Sequence, residues 1–186
     1  LASQGSVYLS RRGSEERMAV VPLHDPAHGV VSAMHCFELH GEHLLPNNAD
    51  FCQRLKGRYD DYSYGRLMNS TFGLVPAGRS PGVFRLAEVM SAGAIPVFIG
   101  RELVPPFRER FNWDSFSFFF SPDQVGTEMI RVLRAVPPEA LQKMQQRKSL
   151  EAYWKIFGGT TCGFETIARN IVDELIQRVT GYYHPE

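Results

Sequence analysis

Thr71-Phe72-Gly73-Leu74-Val75-Pro76, the loop Ala77-Gly78-Arg79-Ser80-Pro81-Gly82, the segment Val83 to Ser91, and Ile95-Pro96-Val97-Phe98-Ile99 together decide the fold. The first and last of these are short apolar runs bounded by turn residues, the pattern of buried strands. Between them the spacing predicts a helix from about Val83 to Ser91, ended by Gly93. Strand, loop, helix and strand within about thirty residues make a βαβ unit. Such a crossover implies parallel strands in a layered α/β sheet, the Rossmann-like class.

The turn from strand into helix is also a candidate ligand site. Gly78 and Gly82 permit close backbone approach. A helix start presents unpaired N–H groups and a partial positive charge, which suit a phosphate. Arg79 and Arg85 flank that point, Ser80 lies in the loop, and Glu88 follows Arg85 by one helical turn. A carboxylate at Glu88 could accept both hydroxyls of a ribose while the phosphates sit at the helix start. The loop matches neither the Walker nor the dinucleotide glycine spacing. A solvated Gly/Pro/Ser turn is the bland alternative for the same residues.

Outward from this unit, Gly5 to Leu9 reads as a strand leading into a charged loop, Arg11 to Arg17, with a second strand expected at Met18 to Pro22. Residues 24–50, dense in His, Pro, Asn and Gly, read as connecting structure with one short helix. Tyr59 to Met68 reads as a helix. After the unit, Phe116 to Phe120 is expected to be a strand, with Phe116, Phe118 and Phe120 on one face. An amphipathic helix carries Val125, Met129, Val132, Leu133 and Val136. Pro137-Pro138 ends it and starts another that extends towards Phe157. Phe164, Ile167, Ile171, Leu175 and Val179 mark a last helix. These elements divide into a Rossmann-like domain over 1–158 and a C-terminal helical segment over 159–186, which packs on that domain or on one outside the chain.

The whole chain has 186 residues, 44% hydrophobic, with 20 Lys+Arg against 20 Asp+Glu. Neutral balance argues against a protein that coats nucleic acid or anionic lipid, because such binding needs excess cations. From Pro76 to Phe111 there are nonetheless five arginines against three glutamates, enough for one diphosphate. No apolar run approaches the ~18 residues that span a bilayer. No signal peptide is legible at Leu1 to Gly5, and the missing Met reads as a processed or excised piece. Cys36, Cys52 and Cys162 leave two readings open, a Cys36–Cys52 disulfide or three buried thiols. His24 and His28 pose a similar choice between a zinc site and hydrogen-bonded loop histidines. Trp113 and the following phenylalanines suit either a sugar-stacking platform or core. Asn69-Ser70-Thr71 is a glycosylation sequon at the entrance to a buried strand.

Several of these blocks together resemble the exostosin family of glycosyltransferases. In that family an S-x-F-C-L-x-P-x-G strand and loop leads to R-x-x-E/D-A, then G-C-I-P-V-I, PF and W-x-x-F-S-V. Here the blocks are Ser70 to Gly78, Phe84 to Glu88, Gly93 to Val97, Pro105-Pro106-Phe107, and Phe111 to Ser117. The resemblance covers about 59–150, with a weaker likeness at the arginine-rich loop and Arg17. It implies the C-terminal, nucleotide-sugar-binding half of an inverting GT-B glycosyltransferase of the Golgi lumen. The donor is expected to be a UDP-sugar and the acceptor a glycan or polysaccharide. Arg85 matches the arginine expected near the diphosphate, and Glu88 the acid expected near the ribose. Gly78, Arg79 and Ser80 fall in the loop over the phosphates.

No acidic pair stands at metal-ligand spacing within these blocks, so no obligatory metal is expected. The catalytic base is expected outside this chain, from an N-terminal domain. The sequence departs from the family at several positions. Val83 replaces a common Ser, Gly73 and Ala94 replace Cys, and Gly100-Arg101 replaces Ser-Asp or Ser-Asn, adding a cation at the mouth of the site. Val83 and Arg101 keep a second class in view, a noncatalytic module acting as scaffold for a partner glycosyltransferase.

Overall fold

The computed structural model describes residues 1–7, 14–39, 42–43, 49–78, 84–145, 150–157 and 167–176. Its centre is a five-stranded sheet in which every neighbouring pair is parallel. The strands are β1 (Ala2–Val7), β2 (Val31–Cys36), β5 (Phe72–Pro76), β6 (Ile95–Ile99) and β7 (Phe118–Phe120). A two-stranded antiparallel ribbon, β3 (Glu38–Leu39) with β4 (Glu42–His43), lies apart from it. Spatial order in the main sheet is β2-β1-β5-β6-β7. The chain therefore builds outward from β1 in one direction, then returns to β5 and builds in the other. That reversal puts the topological switch point between β1 and β5, at whose carboxyl end open α/β sheets bind ligands.

Two core clusters cover the two faces. Phe72, Leu74, Ile95, Val97 and Ile99 alternate onto one face with Met34, Val20 and the helix α5 residues Met129 and Leu133; α5 is Thr127–Arg134. Val75 and Phe98 face the other, where they meet Leu86, Val89 and Met90 of α4 (Phe84–Ser91) and Ala152 and Ile156 of α7 (Leu150–Phe157). The right-handed crossover rule produces this division, since helices after β1 and after β5 lead to opposite sheet edges.

The βαβ unit follows the sequence reading closely. Gly93, at φ 72, ends α4 with its N–H on the Met90 carbonyl, and Ala94 N–H reaches the Val89 carbonyl. That is a Schellman closure, which needs a left-handed residue. Gly73 has a different reason to lack a side chain. A Cβ there would lie 2.5 Å from a Val89 methyl carbon, so α4 rests directly on the β5 backbone. The family's usual Cys does not fit beneath Val89.

Elsewhere the structure corrects the sequence reading. Met18 to Pro22 is not a strand: Ser14–Val20 forms helix α1, followed by a single turn over Val21–Leu23. Residues 24–50 hold β2, hidden in the sequence because Ser32 and His35 interrupt the apolar run; Ser32 is nonetheless fully buried. Two helices, α2 (Ala49–Asp60) and α3 (Tyr64–Met68), replace the one expected at 59–68. Phe116 does not share a face with Phe118 and Phe120. A turn over Trp113–Ser115 breaks the alternation, so Phe116 joins Trp113 and Phe98 while Phe118 and Phe120 pack on the opposite face.

Two contacts fix outlying parts. Cys36 at the end of β2 and Cys52 in α2 form a disulfide, closing a loop of 16 residues, worth about 3 kcal/mol of loop entropy. After Pro137, α6 (Pro138–Gln142) precedes α7. A helix over 167–176 docks through Asn170, whose amide donates to the Lys155 and Ile156 carbonyls, while Arg110 donates to Asn170 and to Asp173. Phe164 and Val179 lie outside the described residues. Among the described residues, no helix is long and apolar enough to cross a membrane.

The Val89–Gly73 contact is directly testable. Gly73→Ala should lower the unfolding free energy by about 1–3 kcal/mol, the usual overpacking cost. Adding Val89→Ala should return less than the sum of the two single losses, measured by denaturant unfolding.

Candidate nucleotide site at the β1–β5 switch point

The register of β1 against β5 begins at Ala2 opposite Gly73 and stops there. The cause lies in β5. Leu1 and Val7 accept hydrogen bonds from Val31 and Phe37 beyond the two ends of the β1–β2 ladder, so odd-numbered residues of β1 serve β2 and even-numbered ones face β5. Continued from Ala2–Gly73, the parallel ladder would give the Gln4 carbonyl a donor from residue 76. That residue is Pro76, which has no N–H. The two strands part, and side chains supply what the ladder lacks.

Those side chains are arginines. Arg85, in the first turn of α4, donates from Nη2 to the Gln4 carbonyl. Arg17, in α1, donates from Nη1 to the Ser6 carbonyl at 2.9 Å and from Nε to the Ala77 carbonyl at 3.3 Å, joining the ends of β1 and β5. Both guanidinium groups lie next to Gly5, where a Cβ would be in van der Waals contact with each, 3.4 Å from Arg17 Nη1 and 3.7 Å from Arg85 Nη2. Two cations from helices that follow the two central strands therefore meet at the carboxyl end of the sheet. Such a pair, close to a helix start, suits a diphosphate.

Glu88 stands one turn beyond Arg85, its Oε2 3.4 Å from Arg85 Nη1. Beside them, Arg85 lies over the ring of Tyr64 at 5.4 Å from its centroid. Partial burial, then the influence of Glu88, pushes the phenol up to about 12, so it is neutral at physiological pH. Gln4, buried in β1, donates from Nε2 to the Tyr62 carbonyl.

Of the residues expected from sequence, Gly78 is buried just past β5, and Arg85 and Glu88 pair in the first turns of α4. Arg79, Ser80 and Gly82, with Val83, lie outside the described residues. Arg85, expected to flank the helix start near a diphosphate, is turned inward to β1 and its side chain is 16% exposed. Arg17 carried only a weak signal, and Tyr64, Gln4 and Gly5 carried none. Arg101, expected at the mouth, follows β6 and pairs with Asp123 at 2.7 Å and Glu15 at 3.7 Å.

The histidines have separate tasks. A His24 ring nitrogen accepts the Ser32 N–H, His28 bonds Asp25, and His35 bonds the Ser6 hydroxyl. Among the described residues, no group of three His, Cys, Asp or Glu is placed to hold a metal.

Comparison with known proteins agrees with this architecture. The family model for the exostosin GT47 domain matches residues 38–136. Exostosin-1 of Drosophila melanogaster is 30% identical over 98% of this chain, which spans 23% of that protein. The Exostosin-1 homolog of Caenorhabditis elegans is 36% identical over 60% of the chain and 29% of its own length. Exostosin-1 of Bos taurus is 28% identical over 83% of the chain and 20% of its own length. The chain thus belongs to the exostosin GT47 family of glycosyltransferases. It spans less than a third of each of these relatives.

Arg17 is expected to hold the parted strands together. Arg17→Ala removes two charge-assisted hydrogen bonds to backbone and should cost roughly 2–4 kcal/mol. Denaturant unfolding checks this; a loss below about 0.5 kcal/mol, within the range of ordinary surface substitutions, would make the contact incidental.

Proposed function

We propose that this chain is the nucleotide-sugar-binding half of an inverting GT-B glycosyltransferase that moves a sugar from a UDP-sugar to a glycan or polysaccharide acceptor. The observation that carries this reading is the meeting of Arg17 and Arg85 where β1 and β5 part, with Glu88 one turn away. In such an enzyme the departing diphosphate needs stabilisation, and here preorganised cations and the start of α4 provide it. Gly78, Arg79, Ser80 and Gly82 form the loop over the phosphates, Arg85 and Arg17 supply charge from beneath it, and Glu88 takes the ribose hydroxyls. No obligatory divalent cation is assigned.

The base that deprotonates the acceptor hydroxyl lies outside this chain, contributed by an N-terminal domain. We place the protein in the Golgi lumen, and the Cys36–Cys52 disulfide fits an oxidising compartment. The pairing of Arg101 with Asp123 and Glu15 removes one reason for regarding the site as degenerate.

Titration calorimetry of this chain with UDP, UDP-sugars and GDP tests the reading. UDP should bind with a dissociation constant of about 1 μM to 1 mM, the ordinary range for substrates, and more tightly than GDP. Arg85→Ala should weaken that binding about tenfold or more, whereas Arg108→Ala, in the exposed turn after β6, should leave it unchanged. A folded chain that binds no nucleotide would refute the proposal.

A further inference from the structure

The segment 100–117, which joins β6 to β7, folds back on itself over the α4 and α7 face. Phe107 takes a left-handed backbone at φ 52, rare for a bulky residue, and its carbonyl accepts the Arg110 N–H at 2.9 Å and the Phe111 N–H at 3.1 Å. The Trp113 indole donates to the Pro106 carbonyl at 3.0 Å. Trp113 and Phe116 are buried, so these two rings are core and form no platform. Phe119 differs. One face of its ring is stacked on Phe98, with 4.8 Å between centroids and 10° between planes, and the residue is 41% exposed. It lines a cavity of about 270 Å³, in which Leu103 and Phe111 complete the apolar lining and the exposed residues Arg108, Asn112 and Asp114 supply the polar lining. No hydrogen bond or ion pair among the described residues occupies the side chains of these last three.

We propose that this cavity is a subsite for one neutral sugar unit of a glycan. A sugar ring has an apolar face of C–H groups and a rim of hydroxyls that donate and accept. Phe119 offers an aromatic face to the first. The second is met by the Asn112 amide, which donates and accepts, by the Asp114 carboxylate, which accepts, and by the Arg108 guanidinium, which donates. Arg108 and Asp114 cancel in charge, so the lining favours a neutral unit over an anionic one. The volume falls just under the ~300–1,000 Å³ of sites for drug-sized ligands, which fits a single ring. The hydrogen bonds within 106–113 hold the cavity in shape before binding, which lowers the cost of ordering it. In the sheet, β5 and β6 separate β7 from the β1–β5 opening, at least about 10 Å at the usual strand spacing. A unit held at Phe119 is therefore apart from the proposed diphosphate position. The inference rests on the glycan-acceptor part of the proposed function and not on its nucleotide part.

Saturation-transfer NMR on this chain tests the proposal, with UDP titrated in parallel. The probes are the methyl glycosides of glucose, N-acetylglucosamine, galactose and xylose, with methyl glucuronide as the anionic comparison. At least one neutral glycoside should bind wild type with a dissociation constant on the order of 1–10 mM. Phe119→Leu keeps apolar bulk but removes the flat face, and should weaken that binding about three- to tenfold. Asp114→Ala, at an exposed position, should melt as wild type does and weaken it about threefold or more. This second variant keeps the test decisive should Phe119→Leu fail to fold. Both variants should bind UDP as wild type does. No neutral glycoside bound by wild type, binding untouched by Asp114→Ala, or a preference for the glucuronide would each overturn the proposal. Sugar binding without UDP binding would support it and refute only the nucleotide reading.

Discussion

A missing N–H organises the centre of this molecule. Parallel strands exchange a backbone hydrogen bond at every second residue, and a central strand can ill spare one. Pro76 sits where β5 should serve the Gln4 carbonyl of β1, and it has no proton to give. An unpaired buried carbonyl would cost on the order of 1–3 kcal/mol. The fold avoids that cost by bringing in Arg85, and it closes the adjoining gap between Ser6 and Ala77 with Arg17. The proline in the family's strand-and-loop pattern thus acquires a physical role: it opens the sheet at the switch point.

Much else follows from that opening. Gly5 lies beneath both guanidinium groups, within van der Waals distance of each for a Cβ built there. The helices α1 and α4 are tied to the same pair of strands from opposite faces, one through Arg17 and the other through Arg85. Their positive charge stands at the carboxyl end of the sheet, where α/β folds receive ligands. A single structural repair therefore concentrates cations where the proposed function needs them. The neutral net charge of the whole chain is compatible with this, since Arg101, Arg110 and Arg131 are each matched by carboxylates.

What the sequence made legible follows the range of the forces involved. The β5–α4–β6 unit was readable because its signals are local: an apolar run, a helix period, and Gly93 as a left-handed stop. The places of Gly78 just past β5 and of Arg85 and Glu88 on α4 were readable for the same reason, being fixed by one turn and one helix. β2 was not, because the polar residues Ser32 and His35 break its apolar run, and their places are set by distant contacts: Ser32 is buried with its N–H on His24, and His35 meets the Ser6 hydroxyl. α1 was mistaken for a strand because Met18 to Pro22 is apolar and helix choice there depends on packing. Arg17 and Tyr64 reach the site only when the chain has folded, 60 residues from Ala77 in one case and 24 from Glu88 in the other. The disulfide was one of two open readings and is formed.

Amide hydrogen exchange with and without UDP addresses the central claim most directly, because it reports where a ligand settles on the sheet. With the nucleotide in the β1–β5 opening, added protection should concentrate in peptides covering 4–7 and 84–88. Those covering β7 and α5 should exchange as before. Protection confined to the β7 edge or to α5, with 4–7 and 84–88 unaltered, would contradict the account.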